Sequence, residues 1–530
     1  MQRIHILGIL LGLTFQVFGQ TNLETTMIFG GNSIDEAKDI AVNQTKTALF
    51  FGARTFSNDG NIPANAGGSD FWIMKRNIDG TLIWSKTFGG NSNDDLETVL
   101  PHPDGGVIAF GTTRTDQGLF GDINGLAGGW LMRTNTNGTI IDGKIFGGTI
   151  TETAVDAYRH LNGDITMVME AGSPLLDGQT NNGILDAWIV QVEPSFAIKW
   201  SLLLGGSGTD VPDAITSDIN GNVYVAATSN SNLPGLNPNH GGKDIWIFKI
   251  GPNGELLWQK TLGGTDDEES TDIVFHEDGG VYVMAQSKSS DGDFDENDGL
   301  NDLWVIRLNA EDGAIEGKYH FGGSGNDFGA HADLYGDDQL FVTTTSTSED
   351  IDLTGNKGFG DVWTFNMDLT GHLLRQMNYG GSQNDLPADI LTVDSVFYGL
   401  ATTTSQDKNV PFNTIAQQDT WFFFFFSNPD TCSDQFLCEP DSMLTNHIYP
   451  PDNESLVCAS GCNAGYGPGP DFNTGNCPDF INPTAYFFVT TDTFSDLLTL
   501  SVNSFEFNQP QIALLKSVNC TSFQQVKCGT

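Results

Sequence analysis

Residues 263–321 read GGTDDEESTDIVFHEDGGVYVMAQSKSSDGDFDENDGLNDLWVIRLNAEDGAIEGKYHF. Four extended runs are legible in them. Asp272 to His276 is the first, and Gly280 to Ser287 the second, across the turn Glu277-Asp278-Gly279. A long polar loop leads to the third, Leu303 to Leu308, and the turn Asp312-Gly313 to the fourth, Ala314 to Phe321. Asp-Gly and Asn-Gly pairs are hairpin chemistry, and a two-residue type I′ turn is the form they favour. The expectation is one four-stranded antiparallel unit.

Working outward, the same unit recurs along the chain. Gly-Gly pairs begin at Gly30, Gly89, Gly147, Gly205, Gly263, Gly322 and Gly380. A tryptophan follows in phase at Trp72, Trp130, Trp188, Trp246, Trp304, Trp363 and Trp421. Two independent markers with one period of about 58 residues define a repeat architecture. Seven four-stranded units imply an all-β, seven-bladed β-propeller over 23–427. The third strands (FWIM, WIVQV, IWIFKI, LWVIRL and finally WFFFFF) are apolar on both faces, as strands sandwiched between neighbouring blades must be. The seventh unit runs into Ser-Asn-Pro-Asp with no fourth strand, whereas Leu23 to Phe29 sits where one belongs. The N-terminal segment is therefore expected to supply the outer strand of the last blade.

Two further sets of residues keep the period. An acid lies four residues after each Gly-Gly: Asp35, Asp94, Glu152, Asp210, Glu268, Asp327 and Asp385. A second lies two before the marker tryptophan, as in Asp70, Asp186, Asp244, Asp302, Asp361 and Asp419. Acids in glycine-rich loops accept backbone N–H bonds, so both sets read as architecture. A second tryptophan, at Trp84, Trp200 and Trp258, is expected to pack between blades.

The remainder of the chain differs in kind. Residues 1–19 have a short basic start, an apolar core and small residues at Val17 and Gly19, the pattern of a signal peptide. No later apolar run is long enough to span a bilayer, so no membrane insertion is expected after cleavage. All seven cysteines lie after position 430, which marks a second module over 428–530. In an exported chain they suggest disulfides; Cys458 and Cys462 keep zinc as the competing reading. The odd count fits a partner beyond Thr530 and a fragment of a longer protein. A formal charge of -44 argues against nucleic-acid and anionic-lipid partners.

The unit DGGVYVMAQSKSSDGDFDENDGLNDLWVIRLNAEDG, with its FGGSGND-type flanks, resembles the glycine- and aspartate-rich SBBP-type propeller repeats of secreted Bacteroidetes proteins. The resemblance implies an extracellular or outer-membrane-surface location and carriage by type IX secretion machinery. The cysteine-bearing region, with its runs AYFFVTT and LLTLSVNS, resembles the early strands of a jelly-roll module.

Chemical signatures are sparse. GxSxG, HExxH and P-loop motifs are absent. One loop stands out, DGDFDEN in the fifth unit. There Asp291, Asp293, Asp295 and Asn297, with Asp302 beyond, are spaced like a calcium loop, although Glu296 occupies the position that such a loop gives to glycine. A solvated acidic loop is the plain alternative. The function expected is non-enzymatic: loops displayed on a rigid ring to bind a surface glycan or a protein, as in adhesion. A polysaccharide-active enzyme with acids at the channel mouth, or a spacer for modules beyond the chain, are the alternatives.

Overall fold

A computed structural model describes residues 25–116, 123–236, 238–353, 355–411 and 418–426, together with strands Ile512–Asn519 and Ser522–Gly529. The chain divides into two compact units, Leu23–Phe425 and Met1–Asn22 with Phe426–Thr530. Of the second unit, only the antiparallel pair Ile512–Asn519 and Ser522–Gly529 is described. The signal peptide, the jelly-roll-like runs and six of the seven cysteines lie outside the described residues. For the seventh, Cys528, only the backbone is described.

The first unit is a ring of seven four-stranded antiparallel sheets. Six follow chain order. The fifth, for example, contains Glu268–Phe275, Gly280–Ser287, Asp302–Asn309 and Ile315–Phe321. Its first strand begins four residues earlier than the sequence suggests. The polar stretch Glu268–Thr271 forms ladder, with Thr271 as the extra residue of a bulge. The hairpins between third and fourth strands also differ from the expected type I′. At Asn77–Thr81 only Gly80 has positive φ, and its N–H bonds back to the Asn77 carbonyl. That is a three-residue turn closed by a glycine bulge. Asp79, which a two-residue type I′ turn would hold at positive φ, keeps a negative one.

The seventh sheet is closed by the N-terminal strand. Thr25–Phe29 pairs antiparallel with Asp419–Phe426, from Thr25 opposite Phe424 to Phe29 opposite Thr420. Side chains repeat the match. In three other blades the marker tryptophan donates its indole N–H to the fourth strand: Trp72 to Ser85 (2.8 Å), Trp246 to Gln259 (3.2 Å) and Trp363 to Gln376 (3.0 Å). Trp421 donates to Thr26 (2.6 Å), so the N-terminal strand occupies the fourth-strand position down to this bond.

The phenylalanine run divides between two neighbours. Phe422 packs on Phe51 of the first blade, with ring centroids 4.6 Å apart, and is flanked by Phe424. Phe423 and Phe425 turn the other way, onto Tyr379, and Phe425 also reaches Phe341 of the sixth blade. Period-two alternation puts successive rings on opposite faces, and each buried ring contributes about 1.5–3 kcal/mol. Outside them, Trp84, Trp200 and Trp258 donate to carbonyls of the next blade, at Thr136, Pro252 and Ala310.

Candidate functional site

The loops joining second to third strands, and each blade to the next, lie on one face of the ring. There, every acid after a Gly-Gly acts as a latch. Its carboxylate accepts the N–H of the second glycine in all seven blades, at 2.6–2.9 Å: Gly31 to Asp35, Gly90 to Asp94, Gly148 to Glu152, and so on to Gly381 and Asp385. Hydroxyls from the second strand complete the shell, as Ser229 and Ser231 do for Asp210. The acids before the marker tryptophan hold the loop itself. Asp70 accepts the Ala66 N–H (2.7 Å), Asp186 that of Asn182 (2.8 Å) and Asp302 that of Asp298 (2.6 Å).

The first glycine of each pair lies against the acid before the marker tryptophan, except Gly147, which faces Gly128 instead. A Cβ on Gly89 would stand 2.2 Å from Asp70 Oδ1 and 2.8 Å from Asp94 Oδ2, so only a hydrogen fits. The oxygens facing it, Oδ1 of Asp70, Asp186, Asp244 and Asp361, are buried without a conventional donor. The glycine Cα–H offers a weak one. Burial pushes the Asp70 and Asp361 carboxyls up to about 6, with the neighbouring Asp94 and Asp385 adding to it.

The residues of the calcium-like loop do not converge. Asp291 accepts the Thr265 N–H (2.8 Å), and Asp293 the Gly263 N–H (3.1 Å). The Asn297 amide donates to the Ser287 carbonyl (3.3 Å), and Asp302 holds Asp298 and the His320 ring. Asp295 is exposed, 3.8 Å from Lys318. Most of these bonds recur in other blades. Asp59, Asp350 and Asp407 make the bond of Asp291. Asp352 makes that of Asp293, while Asn65, Asn239 and Asn356 make that of Asn297. Among the described residues, no group of three or more His, Cys, Asp or Glu is placed to hold a metal ion.

The centre of the ring is a cavity of about 730 Å³ lined by the first strands of all seven blades. Each first strand carries a bulge, at Lys38, Glu97, Val155, Asp213, Thr271, Gly329-Ala330 and Ala388. Just after it, nine residues beyond the first glycine of the pair, stand Asp39, Thr98, Asp156, Ala214, Asp272, His331 and Asp389. Four are aspartates, and each ties its blade to the following one. Asp39 accepts the Val99 N–H (2.5 Å), Asp156 that of Ile215 (3.0 Å), Asp272 that of Ala332 (2.8 Å) and Asp389 that of Ile40 (3.0 Å). In the sixth blade Asp333 does the same for Thr392 (2.7 Å).

The four aspartates line the cavity and are part-buried. Burial pushes Asp156 and Asp213 up to about 7 and Asp272 to about 6. For Asp213, the nearby Glu269 and Glu170 add to the shift. Two basic groups share the lining. Lys38 pairs with Glu97 at 2.8 Å. His331 is held neutral, since burial lowers it to about 4. This ring is absent from the sequence reading. Its signal is a position occupied by aspartate in the odd-numbered units only, which a search for residues common to every unit passes over.

On the loop face, one position varies more than its neighbours. Four residues before the marker tryptophan, Leu126, Ile184, Leu300 and Phe359 are 62–70% exposed, where the first and fourth blades have Gly68 and Gly242. Ile150, Leu175 and Ile351 are exposed on loops of the same face.

Repeat, blade number and loop latches together define a class: the chain is a seven-bladed β-propeller related to SBBP-type repeats. The SBBP β-propeller repeat family itself matches residues 199–234, across the outer strand of the third blade and the inner strands of the fourth. No curated protein matches the chain. Solved structures with a similar fold include a Dyadobacter fermentans protein of unknown function (10% identity, 76% of this chain and 99% of that one, TM-score 0.42). A Bacteroides caccae protein of unknown function is similar over 59% of this chain and 92% of that one (12% identity, TM-score 0.33). An ulvan lyase of a polysaccharide lyase family is similar over 76% of this chain and 96% of that one (10% identity, TM-score 0.48). At these scores the likenesses bear on neither site nor substrate. Among the described residues no helix is long and apolar enough to cross a membrane.

Proposed function

We propose that this chain is an exported propeller that binds a surface glycan or a protein through its loop face and performs no chemistry of its own. The supporting observation is the row of exposed apolar side chains at one loop position, Leu126, Ile184, Leu300 and Phe359. Exposed apolar groups that share one rim are the usual mark of an interaction surface. The frame beneath is rigid, because its acids are engaged in latching loops. A screen of glycan arrays and surface-protein extracts, run with wild type and with all four residues changed to Ser, tests it. Capture lost in the variant supports the reading, whereas release of product from a polysaccharide would overturn it.

A second reading has one observation in its favour. Asp213 and Glu170 line the channel with their carboxyls raised by burial, as a general acid requires. Polysaccharide cleavage abolished by Asp213→Asn would establish it. Type IX secretion and a disulfide-bearing module over 428–530 belong to the main reading. A mature protein that starts at Gln20 would support export.

A further inference from the structure

Aspartate occupies the position just after the bulge in the first, third, fifth and seventh blades, and Thr98, Ala214 and His331 stand between them. Alternation keeps these carboxylates apart around the ring. An odd number of blades defeats it once, because the seventh blade borders the first. There Asp389 of the seventh blade accepts the N–H of Ile40, the residue after Asp39, which brings the two carboxyls side by side and into direct interaction. Two carboxylates cannot hydrogen-bond to each other without a hydrogen between them, since ionised oxygens only accept. We propose that Asp389 and Asp39 share one proton where the last blade meets the first, and that this proton makes closure of the ring pH-sensitive.

The remaining bonds agree. Both oxygens of Asp389 are engaged as acceptors, from Ile390 N–H (2.7 Å) and Ile40 N–H (3.0 Å), and Asp39 Oδ2 accepts from Val99. Among the described residues, no cation relieves the pair. Lys38 on the first blade is held by Glu97 of the second, and His331 on the sixth is neutral. The other titratable groups near the pair are acids: Asp156 and Asp272, whose charges interact with it, and Asp333, bonded to Thr392 of the seventh blade. Burial raises both members of the pair, and for Asp389 the charge of Asp39 comes next among the causes.

The sign follows from linkage. Unfolded aspartates release their protons near pH 3.9, whereas the folded pair retains one well above that. Folding therefore takes up a proton. The stabilisation is complete in acid and is lost as pH rises through the pKa of the pair.

Asp39→Asn is the informative variant. Its amide keeps an oxygen for Val99 and supplies a permanent hydrogen to Asp389. Thermal melts in mild acid and in mild alkali should show wild type losing melting temperature in alkali. Asp39→Asn should lose less, and should melt a few degrees above wild type at the higher pH. Asp156→Asn, at the same ring position but with Thr98 and Ala214 at the neighbouring ones, loses an acceptor for the Ile215 or Ala157 N–H and should melt below wild type in mild acid. An Asp39→Asn protein no more stable than wild type in alkali would overturn the proposal. The infrared difference between wild type and Asp39→Asn at neutral pH gives a second readout. A protonated-carboxyl band present only in wild type supports the shared proton, and its absence removes it.

Discussion

The loop-face latches and the channel ring are both built from aspartates that accept backbone N–H groups, yet they differ in distribution. The latch acid is present in all seven blades and closes the same loop each time. The channel aspartate is present after the bulge in four blades and joins one blade to the next. A latch serves its own loop, so every blade needs one. A tie in the channel serves a junction in a space where carboxylates crowd each other, so not every blade can carry one.

Removing a latch should have the largest effect. Asp210→Ala leaves the Gly206 N–H and the Ser229 and Ser231 hydroxyls buried without their acceptor. A loss of about 3 kcal/mol in urea unfolding is expected. Asp272→Ala removes a channel tie that water can partly replace, and about 1–2 kcal/mol is expected from the same measurement. Equal losses would erase the distinction between the two regions.

Titration addresses both at once. Asp70 and Asp361 on the loop face, and Asp156, Asp213 and Asp272 in the channel, have folded pKa values of about 6–7, above their unfolded values. Their stabilising effect is complete below about pH 4. It is lost as pH rises through 6–7, so melting temperature should fall steadily from mild acid to mild alkali. A melting temperature that instead rises over this window would show that these carboxylates ionise without cost.

Two smaller effects sharpen the picture of the loops. Asp291→Ala and its counterpart Asp59→Ala should each cost about 1 kcal/mol, with or without calcium, because both remove the same turn bond. A cost for Asp291→Ala that grows with added calcium would mark the fifth blade as a metal loop. Changing Leu126 or Phe359 to Ser should shift stability by no more than about 0.5 kcal/mol while weakening any ligand captured on that face.

Period made the ring legible in sequence. Gly-Gly and Trp give the blade count, and the missing fourth strand after Phe425 gives the closure by Thr25–Phe29. The same habit of looking for what every unit shares hid the rest. The aspartates at 39, 156, 272 and 389 occupy only odd units, among many other acids, so they carry no visible period. DGDFDEN suggested a metal because of its spacing within one loop, whereas its bonds are matched by Asp59, Asp350, Asn65 and Asn356 elsewhere. Hairpin glycines were read correctly as turns. The turn type was not legible, because the loop takes in the residue before the pair and only the glycine adopts positive φ.

The strand Thr25–Phe29 has a consequence for how the molecule is made. It leaves the ribosome first of all the ladder strands, but the hydrogen bond from Trp421 to Thr26 spans 395 positions. At elongation rates of about 5–20 residues per second, it waits about 20–80 s for its partner. During that interval one edge of the nascent assembly has no mate, and Met27 and Phe29 have nothing to cover them. The last clasp of the ring therefore cannot fasten until synthesis has passed the seventh blade.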